Sequence, residues 1–302
     1  MSSKVVRSVA LGGASGSLGA EILTALLQAK FMVTAIVRKE GQTFPAGVDV
    51  KVVNTDSVAE IAVALHGQDA FVDATSGVDP TLQGRFIEAA VSSGVYRIVM
   101  GEFSVDPQNS EARSPLVFQG KNKSFEQIKE LAHEGSITYT TISNGAFLDW
   151  NLRTGFVKID IYNKRIQYLN DGLLPFAWTQ LSSVGAAVAK SLEISQQTEN
   201  RSLCISNIIK SQREMADLAK RALGEDGWEE ETLDMDQKLK EATADMMAGK
   251  VDMDVIGNMI LWSTGTIPSQ RFELSGDNEL LGVDRMTDED VCNLIRKIAA
   301  EK

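Results

Sequence analysis

The sequence predicts an α/β protein: a doubly wound parallel sheet with helices on both faces, followed by a smaller C-terminal region. Three observations carry this expectation. Apolar, β-branched runs alternate with helical stretches through the first half of the chain. Four glycines crowd the first strand-to-helix turn, in SVALGGASGSLGAEIL (Ser8–Leu23). The alternation weakens after about Trp150. At 302 residues the chain exceeds one typical core, so one large domain or two unequal ones are expected.

The elements follow in order. VVRSVAL (Val5–Leu11) is apolar and β-branched and reads as a buried strand. LGAEILTALLQAK (Leu18–Lys30) puts Leu18, Ile22, Leu26 and Ala29 on one helical face. Strands are expected at Phe31–Val37, Val48–Val53 and Asp69–Thr75, with a helix in SVAEIAVALHG between the last two. DPTLQGRFIEAAVSSG (Asp79–Gly94) has Pro at a helix entry and closes on Gly. Val95–Met100 is a fifth strand, SFEQIKELAHEG a helix, and Ser136–Ser143 a sixth strand. Beyond Trp150 a strand is expected near RIQYLNDG, with helices near SVGAAVAKSLEIS and SQREMADLAKRALG.

Composition excludes several classes. Hydrophobic content of 43% and charged content of 24% suit a globular protein. A net charge of −11 argues against nucleic-acid binding, which rests on basic patches. Much of the acid lies in 225–254, including Glu229, Glu230 and Glu231, and reads as a solvated surface. No run of 18 apolar residues appears, so no membrane span is expected. The N-terminus runs straight into the glycine turn and reads as a strand rather than a signal peptide. Cys204 and Cys292 lie far apart and read as reduced thiols of a cytoplasmic protein. His66 and His133 share no motif, so no metal site is expected.

The glycine turn carries the chemistry. Gly13, Gly16 and Gly19 lie three apart between strand and helix. Early glycines allow a tight turn and let backbone approach a pyrophosphate, while the helix N-terminus offers free N–H groups. Ser15 and Ser17 add hydroxyl donors, and Gly19 lets the helix pack closely. The expected contact set is Gly13, Ser15, Gly16, Ser17, Leu18 and Gly19. Arg38 and Lys39 follow Gly19 by 19 and 20 residues, at the end of the second strand. An acidic residue there would accept from a ribose 2′-hydroxyl, whereas arginine accommodates a 2′-phosphate. The expected cofactor is therefore NADP(H), held by a Rossmann-type domain over 1–150, with 151–302 mostly a substrate-binding region interleaved with it.

GGASGSLG (Gly12–Gly19), VRKE (Val37–Glu40), GEFSVD (Gly101–Asp106) and TYTTISNGAFLDWNLRTGF (Thr138–Phe156) resemble the NmrA-like, isoflavone-reductase-like group of atypical short-chain dehydrogenases, in its fungal-type branch. The C-terminal half matches mainly in GAAVAKSL and NRSLCISN. The resemblance implies NADPH-dependent reduction of a small aromatic or apolar substrate by a lysine in an F-x-x-K segment. Here that segment is VFQGKNKSFEQI (Val117–Ile128), which makes Lys121 the candidate and Lys123 its neighbouring alternative. The tyrosine–lysine pair of ordinary short-chain dehydrogenases is absent: Tyr96, Tyr139, Tyr162 and Tyr168 are followed four residues on by Met100, Ser143, Ile166 and Gly172. A lysine shifted from its ordinary range by burial is a usable acid or base. The resemblance further assigns Thr75, Ser76, Glu102, Phe103, Asn144 and Phe147 to the cofactor. Gly101 stands where the group usually has serine, and Ser104 where it has glycine. Met246, Met247, Met253 and Met259 suit either an adaptable pocket or a core. Two readings remain: a reductase, or an NADP(H)-sensing regulator that acts through a protein partner without turnover.

Overall fold

Strand β1 (Ser8–Gly12) is buried along its whole length, as a central parallel strand must be. The computed structural model describes residues 5–75, 77, 79–269, 271–272 and 276–301. Around β1 stand β2 (Met32–Val37), β3 (Asp49–Val52), β4 (Ala70–Asp73), β5 (Arg97–Val99) and β6 (Thr138–Ser143). All of them pair in parallel, in the order β6-β5-β4-β1-β2-β3. The order reverses between β1 and β4, and ligands bind at such a switch point, beyond the carboxyl ends of the strands.

Side chains alternate across the sheet. Val9 and Leu11 face one core cluster, and Ala10 faces the other. The first cluster includes apolar residues of α1 (Ser17–Gln28), the second those of α2 (Val58–Leu65), α3 (Leu82–Ser92) and α4 (Gln119–His133). Helix α4 starts at Gln119, five residues before the expected Ser124. Gly120 makes that start possible, because a Cβ there would overlap the Pro80 carbonyl and lie 2.8 Å from Pro80 Cα.

After β6 the chain forms β7 (Ala146–Phe147), α5 (Leu148–Thr154), β8 (Ile159–Asp160), β9 (Arg165–Leu169) and β10 (Pro175–Thr179). It then returns to the main sheet. Helix α6 (Leu181–Glu193) packs on α1 closely enough that a Cβ on Gly185 would lie 2.7 Å from the Glu21 carbonyl oxygen. Strand β11 (Arg201–Cys204) adds a seventh parallel strand beside β6. Arg97 ties this return down. Its buried guanidinium donates to Thr138, Thr140 and Thr198 hydroxyls and to the Ser195 carbonyl at 2.7 to 3.2 Å.

The remainder comprises β12 (Ile208–Ser211), α7 (Gln212–Leu223), β13 (Glu229–Leu233), α8 (Met235–Met247), α9 (Met253–Thr266), α10 (Asn278–Leu281) and α11 (Asp288–Ala299). Small three-stranded sheets β12-β10-β7 and β13-β9-β8 share a separate apolar cluster with α5, α7 and α11. Ser211 opens α7 with a reciprocal capping box to Glu214. Among the described residues no helix is long and apolar enough to cross a membrane. Cys204 and Cys292 are both buried free thiols, and burial pushes the Cys204 thiol up to about 12.

Candidate active site

The turn from β1 into α1 is set by contacts that only glycine permits. Gly13 has φ +78°, and a Cβ there would overlap the Ala74 carbonyl, 2.6 Å from its carbon. A Cβ on Gly19 would overlap the Gly13 carbonyl oxygen and lie 2.7 Å from the carbon. Gly13 and Gly19 thus shape the turn from behind. Gly16 is the helix N-cap, its N–H donating to Gly13 O at 2.9 Å. The first turn of α1 has neither a capping side chain nor an acidic residue, so its N–H groups remain open to an anion. Ser15 and Ser17 are exposed at this opening.

Arg38 and Lys39 are exposed immediately after β2. Gly12 pairs with Ile36, so both cations leave the sheet beside the glycine turn.

A cavity of about 430 Å³ opens next to the turn. Gly16, Ser17 and Leu18 line it from α1, Thr75 from the end of β4, Gly101 and Phe103 from the end of β5, and Phe147 from β7. Lys121 reaches it from the first turn of α4. The opposite wall is apolar: Trp150 and Phe156 around α5, and Met253, Ile256, Ile260 and Leu261 on α9. Sequence reasoning missed this wall except for Met253. Of the other methionines, Met259 is core, Met246 packs against a small apolar cluster, and Met247 is exposed.

The two lysines part company here. Lys123 lies two residues on, about 200° around the helix, and is exposed. Lys121 is half-buried, and its ammonium donates to the Gly101 carbonyl.

Two expected cofactor contacts turn away from the cavity. Glu102 is fully buried and ion-paired with Arg113, which is itself buried over the Phe118 ring. A buried charge needs such a partner, and that demand overrides the position of Glu102 beside the cleft. Asn144 is also fully buried: its side-chain amide N–H donates to Gly145 O at 3.0 Å, and its backbone carbonyl accepts from the Thr179 hydroxyl at 2.7 Å. Ser76 lies outside the described residues.

One ionisable residue at the site was not anticipated. Asp73 ends β4 and is buried. Its Oδ1 accepts from the Thr75 N–H at 3.0 Å and the Thr75 hydroxyl at 2.6 Å. Burial pushes the carboxyl above its ordinary value, while these hydrogen bonds and the charge of Lys121 pull it back. An aspartate at a strand end gives no local signal, because its partner stands 48 positions on in the sequence.

Residues 13–166, just over half of the chain, match the family described as NAD(P)H-binding. The chain belongs to this NAD(P)H-binding family. The oxidoreductase aprR of Aspergillus flavus is 28% identical over 244 residues, covering 79% of this chain and 81% of its own. The ternary complex of leucoanthocyanidin reductase from Vitis vinifera superposes with a TM-score of 0.72 at 18% identity, covering 95% and 98% of the two chains. Isoflavone reductase gives 0.71 at 17% identity, covering 96% and 99%. These likenesses establish the shared fold, and they agree with the isoflavone-reductase-like resemblance read from the sequence. The glycine turn described above lies at the start of the NAD(P)H-binding match, and the main sheet through β6 lies within it.

Proposed function

We propose that the protein is an NADPH-dependent reductase acting on a small apolar or aromatic carbonyl or enone. One observation carries the reading: the open N-terminus of α1 and the Lys121 side chain line one cavity whose far wall is apolar. When bound, the nicotinamide supplies hydride to the substrate.

The residues divide the work. Gly13, Gly16 and Gly19 shape the cradle, and Ser15, Ser17 and the N–H groups at Leu18 receive phosphate oxygens. Arg38 and Lys39 accompany the 2′-phosphate, which selects NADP(H) over NAD(H). Thr75, Phe103 and Phe147 flank the dinucleotide's reactive end. Lys121 holds a proton at Nζ and delivers it to the substrate oxygen as negative charge develops there. The apolar wall excludes water and favours an uncharged, ring-bearing substrate. In this division residues 1–150 hold the cofactor. Residues 151–302 mostly build the substrate side and are interleaved with the first part through α6 and β11. The reading places the protein in the cytoplasm, without a nucleic-acid or membrane partner.

The test is NADPH oxidation, followed optically, across a panel of carbonyls and enones for wild type and Lys121→Ala. Turnover that Lys121→Ala loses, at unchanged NADPH affinity, supports the proposal. Tight NADPH binding with no turnover across the panel overturns it in favour of a regulator that acts through a protein partner.

A further inference from the structure

Asp73 and Lys121 both meet Gly101. The Lys121 ammonium donates to the carbonyl of Gly101. The Asp73 carboxylate packs against the same residue: a Cβ on Gly101 would lie 2.9 Å from Asp73 Oδ2 and 3.1 Å from Asp73 O. Gly101 is therefore bare because the carboxylate occupies the space a side chain would take. Both Thr75 hydrogen bonds to Asp73 go to Oδ1, which leaves Oδ2 free of a hydrogen bond among the described residues.

A second observation joins the same two residues. Asp73 and Lys121 line a small adjoining cavity of about 20 Å³, together with Gln83. Gln83 is buried, and its Oε1 has no hydrogen-bond partner among the described residues. The space is enough for one water molecule, which needs roughly 10–15 Å³ and polar neighbours. A water there would donate to Gln83 and to Asp73 Oδ2 and accept from Lys121.

The other charges nearby are already matched. Glu102, after β5, pairs with Arg113, and Asp79, on the loop before α3, pairs with Arg85. That leaves Lys121 on α4 as the cation facing the Asp73 carboxylate among the described residues.

We propose that Asp73 is a positioning residue for Lys121: its buried carboxylate is the counter-charge that holds the lysine ammonium on the Gly101 carbonyl at the edge of the large cavity. This rests on the reading of Lys121 as the proton donor. The sign of the pH dependence follows. Burial pushes the Asp73 carboxyl above its ordinary 3.8, so the counter-charge is lost on the acid side at a higher pH than for a solvated aspartate. Turnover therefore falls as pH drops through that titration. A raised carboxyl also means that the folded state binds the proton more tightly than the unfolded state. Stability then declines as pH rises above the ordinary aspartate range, and an uncharged residue at this position removes that decline.

The experiment is a double-mutant cycle with Asp73→Asn and Lys121→Met. Asparagine keeps the Oδ1 acceptor for Thr75 and loses only the charge. Expected first is kcat for Asp73→Asn about tenfold below wild type or lower at neutral pH, with the acid limb gone, and no further loss when Asp73→Asn is added to Lys121→Met. Expected second is a melting temperature at pH 8 that Asp73→Asn raises by about 2–4 °C more in the Lys121→Met background than in wild type. That excess arises because the compensating lysine charge is gone, and a purely structural aspartate would not produce it. An unchanged kcat profile together with equal melting shifts in both backgrounds overturns the inference. Should wild type turn over nothing in the panel, the reductase reading fails, and the melting cycle still decides whether Asp73 and Lys121 are coupled.

Discussion

Gly19→Ala tests the glycine turn most directly. Alanine is the better helix former by about 1 kcal/mol, so at an unconstrained helix position the change would stabilise. Here the new Cβ would overlap the Gly13 carbonyl oxygen and lie 2.7 Å from its carbon. Both are backbone atoms, and no side chain can swing away. To bring both atoms to an ordinary 3.4 Å contact, the start of α1 must move from the turn by about 1.5 Å. Overpacking of this kind costs about 1–3 kcal/mol, which offsets the propensity gain. The same displacement carries the first N–H groups of α1 away from a bound phosphate. Each hydrogen bond to a charged group is worth about 1.5–3 kcal/mol, so one lost contact weakens NADPH binding roughly tenfold to a hundredfold. Gly16→Ala is the control for folding stability alone, because its Cβ would meet only the Gly13 carbonyl oxygen, at 3.4 Å, and its φ of −76° suits alanine. The assay is NADPH titration by fluorescence or calorimetry, with thermal unfolding of the free protein alongside. A Gly19→Ala protein that is more stable than wild type and binds NADPH within twofold of it would refute the packing argument.

Other outcomes follow from the same geometry. Lys121→Ala should lower kcat by about a hundredfold or more with NADPH affinity intact, whereas Lys123→Ala should leave both unchanged; steady-state kinetics on the best panel substrate check this. Arg38→Ala should weaken NADPH roughly tenfold or more and leave NADH nearly unaffected, and equal losses for the two cofactors would remove Arg38 from the 2′-phosphate. Glu102→Gln leaves Arg113 charged, buried and unpaired, and should destabilise by about 3–5 kcal/mol in denaturant unfolding. A Glu102→Leu, Arg113→Met double variant should recover most of that loss, since an apolar pair of similar volume can replace a buried ion pair.

The main sheet was legible because most of its first six strands lie in apolar or β-branched runs bounded by turn signals, as buried parallel strands do, while β3 is a largely exposed edge strand marked by its alternating valines. The glycine turn was legible for a related reason: its physics is local. Helix α4 was read five residues too short because Gly120, Asn122 and Lys123 break the apolar pattern. Their places are set by the Asp79–Pro80 loop, which is remote in sequence. The seventh strand escaped for want of a local cue, because Arg201–Cys204 joins β6 through a buried arginine on β5. Glu102 and Asn144 sit near the cleft in sequence and face away from it in space. Glu102 is held by its buried ion pair with Arg113 and Asn144 by hydrogen bonds to Gly145 and Thr179, contacts that spacing does not encode. Asp73 was missed for the converse reason, since its importance exists only once α4 has brought Lys121 to Gly101.

The topology explains why these groups converge. The strand order reverses between β1 and β4, so connections leave toward opposite faces of the sheet and open a crevice at its carboxyl edge. The glycine turn follows β1, Thr75 follows β4, and Gly101 follows β5, all on that edge. Lys121 is delivered over them from the face of α3 and α4, while α1 and α6 hold the other face. Cofactor sensing needs only the edge. The wall opposite, built by Trp150, Phe156, Ile256 and Ile260, encloses space that the glycine turn does not require. Lys121 and that apolar wall line one cavity of about 430 Å³ with the glycine turn. A reductase needs both, because the proton must arrive where water does not. The chamber, more than the glycine turn, is what the proposed reductase reading rests on.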